Sequence, residues 1–374
     1  MKVIVSGGGT GGHIFPAIAI ANAVKNRYPD ADILFVGAEG RMEMEKVPAA
    51  GYTIKGLPIA GLQRKLTIGN IIKNLQLPFK MAKSRIMVKK IIRSFQPDIV
   101  VGVGGFASEP TLKAAAAMGY PTLLQEQNSY AGLTNKMLSK SATTICVAYD
   151  GMERFFPKEK IVFTGNPVRS SIEDMDVTKE QGRANFELRN DSRVILIIGG
   201  SLGARSINQM MLKSLPRVDD LFVKNNIQVV WQTGSYMYDE AVDAVAKAQV
   251  GESIKVHKFI SRMDMAYSAA DIIISRAGAI AISELCIVGK PIILIPSPNV
   301  AEDHQTKNAL ALVEKGAALM VRDNECGDKG LQTAIDLLGN TAQQSEMSKN
   351  ILNLARRKAA DRIVEEIDKI LTKK

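Results

Sequence analysis

Aromatic residues make up only 5% of this 374-residue chain, and a single tryptophan is among them. Base-stacking platforms need such rings at regular intervals, and no nucleic-acid-binding module is recognisable, so nucleic acid is not expected as a partner. Cysteine is scarce as well. Cys146, Cys286 and Cys326 lie far apart without C-x-x-C spacing, which excludes a disulfide framework and points to a reducing, cytoplasmic setting. No run approaches the roughly 20 apolar residues of a membrane span. The opening MKVIVSGGG enters a strand and a turn at once, which predicts no signal peptide. Acid is missing from one long stretch: from Lys46 through Pro97 there is no Asp or Glu, yet there are eleven Lys and Arg residues, Lys46 included.

What is present describes a soluble globular protein, 46% hydrophobic and 23% charged with a net charge of +10. The length exceeds one ordinary core and suits two domains. Within the acid-free stretch Ile68, Ile71, Ile72 and Leu75 recur at helical spacing, as do Val88, Ile91, Ile92 and Phe95. Basic helices of this kind suit an anionic membrane surface or a polyanion, and they equally suit a solvated basic face over core helices.

Short β-branched runs alternate with helical stretches throughout: KVIVSG, DILFVG, DIVVGVG, TLLQE, TTICVA, IVFTG, then RVILIIGG, IQVVWQTG, IKVHKF, DIIISR and PIILIP. Buried parallel strands read this way, so the pattern predicts two doubly wound α/β domains. An internal likeness supports two halves. The segments starting at Asp98 (DIVVGVGGFASEP) and Asp271 (DIIISRAGAIAISE) each read as strand, turn, Ser-Glu, helix, Gly-x-Pro and strand. The expected domains are residues 1–164 and 165–345, joined near FTGNPVR, with a final helix at about 346–374 that could pack on either.

The loop VSGGGTGGHIF satisfies the dinucleotide fingerprint through Gly7, Gly9 and Gly12, with Glu39 as the ribose carboxylate it would require. Five glycines in six residues make that match weak. Small residues at a helix start also let a sugar or diphosphate approach the backbone, and His13 there could accept a hydroxyl proton. The second loop, GGSLGAR, lacks the Gly-Lys-Ser/Thr ending of a P-loop. Ser201 and nearby amides still suit phosphate, with Arg205 as a counter-charge, and Ser201 equally suits simple helix capping. In RAGAIAISE, Ser283 and Glu284 are expected near a helix start, where a carboxylate is favoured by the dipole and could accept from ribose hydroxyls. The polar run Glu302 to Asn308 offers sugar hydroxyls donors and acceptors, and its spacing matches no metal motif. The triplets Asp30-Ala31-Asp32 and Asp174-Met175-Asp176 are expected at the surface, so no metal and no cofactor are expected.

Taken in order, VSGGGTGGHIFPA, GVGGFASEPTLKAA, QEQN, TGNPVR, GGSLGA, SRAGAIAISE and DHQTKNA span about residues 3–310. As a set they resemble the bacterial family that adds N-acetylglucosamine to the lipid-linked muramyl pentapeptide in cell-wall synthesis. The resemblance implies a GT-B glycosyltransferase: two Rossmann-like domains facing across a cleft, with the final helix returning to the first domain. It implies donor contacts from Thr10, Gly11, Gly12, Asn128, Arg169 and Ser201. Uracil would be held by backbone near Ile260 and the segment Ala279, Ile280, Ala281, Ile282 and Ser283, ribose by Glu284, and sugar hydroxyls by Gln305. Asn308, Gly105 and Glu126 are further candidates, and His13 is the candidate base. The implied reaction is inverting transfer from UDP-N-acetylglucosamine to the C4 hydroxyl of the undecaprenyl-diphosphate-linked acceptor, forming a β-1,4 link. The acceptor's lipid gives Lys73, Lys80, Lys83 and Arg85 a role in peripheral docking on the cytoplasmic leaflet, where other cell-wall synthesis proteins would be further partners. A UDP-N-acetylglucosamine 2-epimerase, a diacylglycerol glycosyltransferase and a nucleotide- or NAD-binding regulator remain as alternatives.

Overall fold

The computed structural model describes residues 1–59, 77–200 and 202–372. Ser201 and Lys73, both expected at functional surfaces, lie outside the described residues, as does the run Ile68 to Leu75. The chain divides into two compact units, Met1–Val168 with Lys358–Lys374, and Arg169–Arg357.

In the first unit β1 (Lys2–Ser6), β2 (Asp32–Ala38), β3 (Thr53–Leu57), β4 (Ile99–Gly102), β5 (Thr122–Glu126), β6 (Thr144–Val147) and β7 (Ile161–Phe163) form one sheet, in the order β3-β2-β1-β4-β5-β6-β7. Every pairing is parallel, for example Val3 with Ile33 on one side and Ile99 on the other. Val3, Ile4, Val5, Val100 and Val101 are all fully buried, because helices cover both faces of a parallel sheet. The helices used below are α1 (Gly11–Arg27), α2 (Glu43–Ala49), α3 (Leu77–Phe95), α4 (Ser108–Ala117) and α5 (Leu133–Leu138). One face of the sheet packs Ile14, Ile20 and Val24 of α1, and the other packs Val88 and Ile92 of α3 with Leu112 of α4. Burying each such side chain stabilises the unit by about 1.5–3 kcal/mol. Because α1 begins at Gly11, Pro16 falls in its second turn and removes the intrahelical donor of the Gly12 carbonyl.

The second unit holds β8 (Arg193–Ile198), β9 (Ile227–Gln232), β10 (Ile254–His257), β11 (Ile272–Ser275), β12 (Ile292–Leu294) and β13 (Leu319–Met320), all parallel, in the order β10-β9-β8-β11-β12-β13. Its helices used below are α6 (Arg205–Ser214), α7 (Met263–Ala269), α8 (Ala279–Val288), α9 (His304–Val313) and α10 (Thr341–Asn353). The expected single C-terminal helix is in fact two. After α10 the backbone breaks, with Lys358 left-handed at φ 57°, and α11 (Ala359–Thr372) resumes in the first unit. There Ile363, Val364 and Ile367 join the α1 side of the core. Asp368 accepts from the Tyr28 hydroxyl at 2.7 Å and pairs with Arg27 at 2.8 Å. The three thiols are unpaired and buried. Burial pushes Cys326 up to about 11 and Cys286 up to about 12, so neither is a ready nucleophile.

Candidate active site

Strand order places the sites. In an open parallel sheet, ligands bind at the carboxyl ends of the strands where successive connections leave in opposite directions. That point lies between β1 and β4 in the first unit and between β8 and β11 in the second. Both glycine loops emerge there.

In the first unit, Gly7 to Thr10 lead from β1 into α1, with Thr10 extended at φ −145° as the N-cap. Thr10 Oγ1 lies 3.2 Å from His13 Nδ1. The turn after β4 comes alongside: a Cβ on Gly105 would stand 2.3 Å from the Gly8 carbonyl oxygen, so only glycine lets the two backbones meet. The imidazole lies over the same turn, 3.0 Å from where a Gly104 Cβ would be. The Ser108 hydroxyl fastens the two together, donating to Ser6 O (2.7 Å) and Gly104 O (2.9 Å). Thus Thr10, Gly11, Gly12, His13 and Gly105 share one locus. A residue missed in the sequence completes it. Glu43, 1% exposed, accepts from the Gly9 amide at 2.9 Å and the Ala38 amide at 3.0 Å.

Glu126 has a different role from the donor contact expected of it. It is 1% exposed and takes four donors: the Asn128 amide (3.0 Å) and Nδ2 (3.2 Å), the Gly132 amide (3.0 Å) and Asn135 Nδ2 (2.9 Å). These fill the acceptor positions of a carboxylate, so Glu126 shapes the 127–132 loop and holds Asn128 in it.

The second unit brings Arg169 and Glu284 together. The guanidinium forks onto the carboxylate, Nε to Oε1 and Nη2 to Oε2, both at 2.7 Å. The Tyr267 hydroxyl donates to Oε2 at 3.2 Å. Burial, reinforced by the Glu284 charge, holds that phenol well above its ordinary range, so it remains a donor. Arg169 takes one lone pair from each oxygen and Tyr267 a second from Oε2, which leaves Oε1 one further acceptor position. Two residues expected at the donor therefore bond each other directly, and Tyr267, which carries no sequence signal for the site, joins them on Glu284.

Around them the loops are pinned by side chains. Gln232 donates to Gly200 O at 3.1 Å and accepts the Ile260 amide at 2.8 Å, so Ile260 keeps only its carbonyl to offer. Helix α8 starts at Ala279, which puts Ser283 and Glu284 in its second turn rather than at its start. Ser283 Oγ donates back to Ala279 O at 3.0 Å. Ala279, Ile280 and Ala281 are half-buried along the first turn, whereas Ile282 is 2% exposed and belongs to the core. Asn308 is wholly buried. It supports the turn before α8 through Ala277 O at 3.4 Å and does not face solvent. Gln305 accepts the Ser297 amide at 2.9 Å, beneath a loop in which Glu302 and Asp303 both hold left-handed backbone at φ 53°. Such strain in non-glycine residues concentrates at binding loops. Arg276 was also missed: it donates to Ile295 O (2.9 Å), Pro296 O (3.2 Å) and the Ser206 hydroxyl (3.0 Å), and pairs with Asp323, tying three loops at this edge.

The acid triplets are placed by their elements. Asp32 opens β2 at the opposite end of the sheet, and Asp174 follows a short helix. Among the described residues no three His, Cys, Asp or Glu side chains cluster as metal ligands.

Helix α3 exposes Phe79 (80%) and Ile86 (59%), with Lys83, Lys89, Lys90 and Arg93 also exposed. Val88 and Ile92 are its core stripe. Lys80 is half-buried, and Arg85 turns instead to Glu109 at 3.5 Å.

Two parallel-sheet, Rossmann-like domains, each with a glycine turn at its switch point, are the architecture of the GT-B fold. The glycosyltransferase family 28 N-terminal domain matches residues 3–147 and the family's C-terminal domain matches residues 194–363. The chain belongs to glycosyltransferase family 28. It is 55% identical over 373 residues to the UDP-N-acetylglucosamine--N-acetylmuramyl-(pentapeptide) pyrophosphoryl-undecaprenol N-acetylglucosamine transferase of Parabacteroides distasonis, covering 100% of this chain and 99% of that one. The protein of the same name from Cytophaga hutchinsonii is 54% identical over 99% of this chain and 97% of its own. Among solved structures, MurG of Acinetobacter baumannii superposes with a TM-score of 0.78 at 29% identity, over 98% of this chain and 99% of that one. The UDP-GlcNAc 2-epimerase of Neisseria meningitidis (TM-score 0.66, 16% identity, 99% and 100% covered) shares the fold alone.

Proposed function

We propose that this chain transfers N-acetylglucosamine from UDP-N-acetylglucosamine to the C4 hydroxyl of N-acetylmuramyl-pentapeptide carried on undecaprenyl diphosphate. The observation that carries this is end-to-end likeness, at 55% identity, to a transferase of that name. The transfer inverts the anomeric centre and forms a β-1,4 link. The acceptor oxygen attacks the anomeric carbon, the bond to the diphosphate breaks, UDP departs with the electron pair, and the acceptor proton passes to His13. The step uses the tautomer in which Nδ1–H donates to Thr10 Oγ1, 3.2 Å away, so that Nε2 carries the basic lone pair. The donor belongs to the second domain. Glu284 takes a ribose hydroxyl at Oε1, the Ile260 carbonyl faces the uracil N–H, and Gln305 meets the sugar. Amides at the start of α6, with Ser201, meet the charge that grows on the diphosphate, and no metal ion is required.

The acceptor sits in a membrane, and α3 docks on the anionic cytoplasmic leaflet through Lys83, Lys89, Lys90 and Arg93 around Phe79 and Ile86. Among the described residues no helix is long and apolar enough to cross a membrane, so the attachment is peripheral.

The test is a transfer assay with a soluble acceptor analogue. Wild-type chain yields the β-linked disaccharide, and His13→Ala lowers turnover by about 10²–10⁴-fold, the usual contribution of a general base. Turnover near wild type with donor saturated removes His13 from the step. Epimerised UDP-sugar formed without acceptor would instead favour the epimerase reading.

A further inference from the structure

Two side chains hold the Glu284 carboxylate, and they differ in how firmly they are themselves held. Arg169 reaches it along a flexible stem that is 43% exposed. Tyr267 is 1% exposed and stands on α7, a helix fixed at several points. The short helix Lys179–Asn185 lies so close to α7 that a Cβ on Gly182 would stand 2.6 Å from the Met265 carbonyl oxygen and 2.7 Å from the Ala269 amide nitrogen. The Ser268 hydroxyl donates to Val177 O at 2.9 Å, and Asp264, in the first turn, is paired with Arg262 through Nε and Nη2. Close packing of this kind gives the Tyr267 ring one position. Its hydroxyl, 3.2 Å from Oε2, is the fixed point from which the carboxylate is aimed.

A fork of two hydrogen bonds keeps a carboxylate coplanar with the guanidinium, and the carboxylate then moves with it. A donor on a rigid element that meets the same carboxylate fixes which lone pair stays free and where it points. We propose that Tyr267 is a positioning residue for nucleotide binding: its hydroxyl takes the last lone pair of Glu284 Oε2 and holds the free lone pair of Oε1 toward a ribose hydroxyl. Tyr267 is too deeply buried to touch a nucleotide, so it acts through Glu284 alone. Without the phenol the carboxylate follows the half-exposed guanidinium, and its aim is lost. The inference rests on the donor reading above, in which Glu284 meets the ribose, and it names the residue that makes this contact directional.

The probes are UDP and its 2′,3′-dideoxy analogue, each titrated calorimetrically into the full chain. Wild-type chain prefers UDP by about tenfold or more, the usual worth of a hydrogen bond to a charged group. Tyr267→Phe removes one oxygen atom. Its affinity for UDP falls at least about threefold while its affinity for the analogue stays within about twofold of wild type, so the preference shrinks. A merely structural loss would weaken both ligands alike. On a Glu284→Leu background, which offers no acceptor, Tyr267→Phe costs UDP binding less than about twofold. Trp231 emission in urea checks that each variant is folded. Should Tyr267→Phe not fold, Ser268→Ala, which frees α7 from Val177 O, replaces it and lowers the preference in the same direction. Equal weakening of both ligands overturns the proposal, and so does an undiminished loss on the Glu284→Leu background. A wild-type chain that binds UDP and the analogue equally refutes the ribose contact and this proposal together. An unchanged preference in Tyr267→Phe refutes this proposal and leaves the ribose contact standing.

Discussion

Replacing Arg169 by Met removes both bonds of the guanidinium fork and leaves Glu284, with its side chain 4% exposed, facing only the Tyr267 hydroxyl. Removing one partner of a buried pair costs about 3–5 kcal/mol, because the other charge stays buried without compensation. The Arg169 side chain is itself 43% exposed, so water reaches one side of the pair. That screening reduces the expected loss to about 2 kcal/mol. In a unit of this size the loss lowers the melting temperature by about 4–8 °C. The chain supplies its own reporter: its single tryptophan is Trp231, fully buried in the second unit and donating to Asn208 Oδ1 at 3.0 Å. Urea titration followed by Trp231 emission therefore reads this unit alone and avoids treating a two-domain protein as one transition. The control is the same substitution on a Glu284→Gln background, where no buried charge remains to be stranded and the loss should shrink to less than half. A loss below about 0.5 kcal/mol, the range of ordinary surface changes, would refute the reasoning. So would equal losses on the two backgrounds.

Two further outcomes follow from charge. Vesicle binding should weaken about fivefold for each of Lys83→Gln and Lys90→Gln, since a basic residue near an anionic leaflet contributes about 1 kcal/mol. Arg85→Gln, already paired with Glu109 at 3.5 Å, should change little, and binding indifferent to both lysines and to salt would refute docking through this helix. His257, edge-on to Phe186 with centroids 5.2 Å apart, has its pKa lowered from 6.5 by burial. The unfolded chain therefore takes up the proton first as pH falls, so the second unit loses stability below about 6.5 and levels off once the folded imidazole also protonates. His257→Phe should flatten that slope in Trp231-monitored unfolding, and an unchanged slope would assign it to other groups.

The eleven β-branched runs legible in the sequence all became strands, because a parallel strand buried on both faces must be apolar at nearly every position. The two strands that went unread are edges. TIKGL, in β3, is mostly exposed or half-buried and pairs on one side only, and β13 is two residues long. Neither carries enough buried surface to imprint a pattern. The break between α10 and α11 was illegible for another reason. Leu354 to Lys358 contain no glycine or proline, so the chain turns there through a left-handed lysine that propensity alone would not place.

At the site, legibility followed sequence distance. Thr10 and His13, three residues apart, could be read as one unit because a helix start brings them together. Arg169 and Glu284 are 115 positions apart, and each looked by itself like a surface group waiting for a ligand. Tyr267 is a core residue apart from its hydroxyl, which reaches Glu284, and nothing in the sequence singles it out. Glu43 was the least visible, since an acid in the first turn of a short helix is ordinarily a solvated dipole partner. What sets it apart is the glycine at position 8, whose missing Cβ admits the carboxylate, and that dependence joins residues 35 positions apart on different elements. Polar residues near a turn are ones that sequence can nominate as candidate ligand contacts. The residues that hold those candidates in place are polar and buried, and only their bonding partners distinguish them from structural ballast.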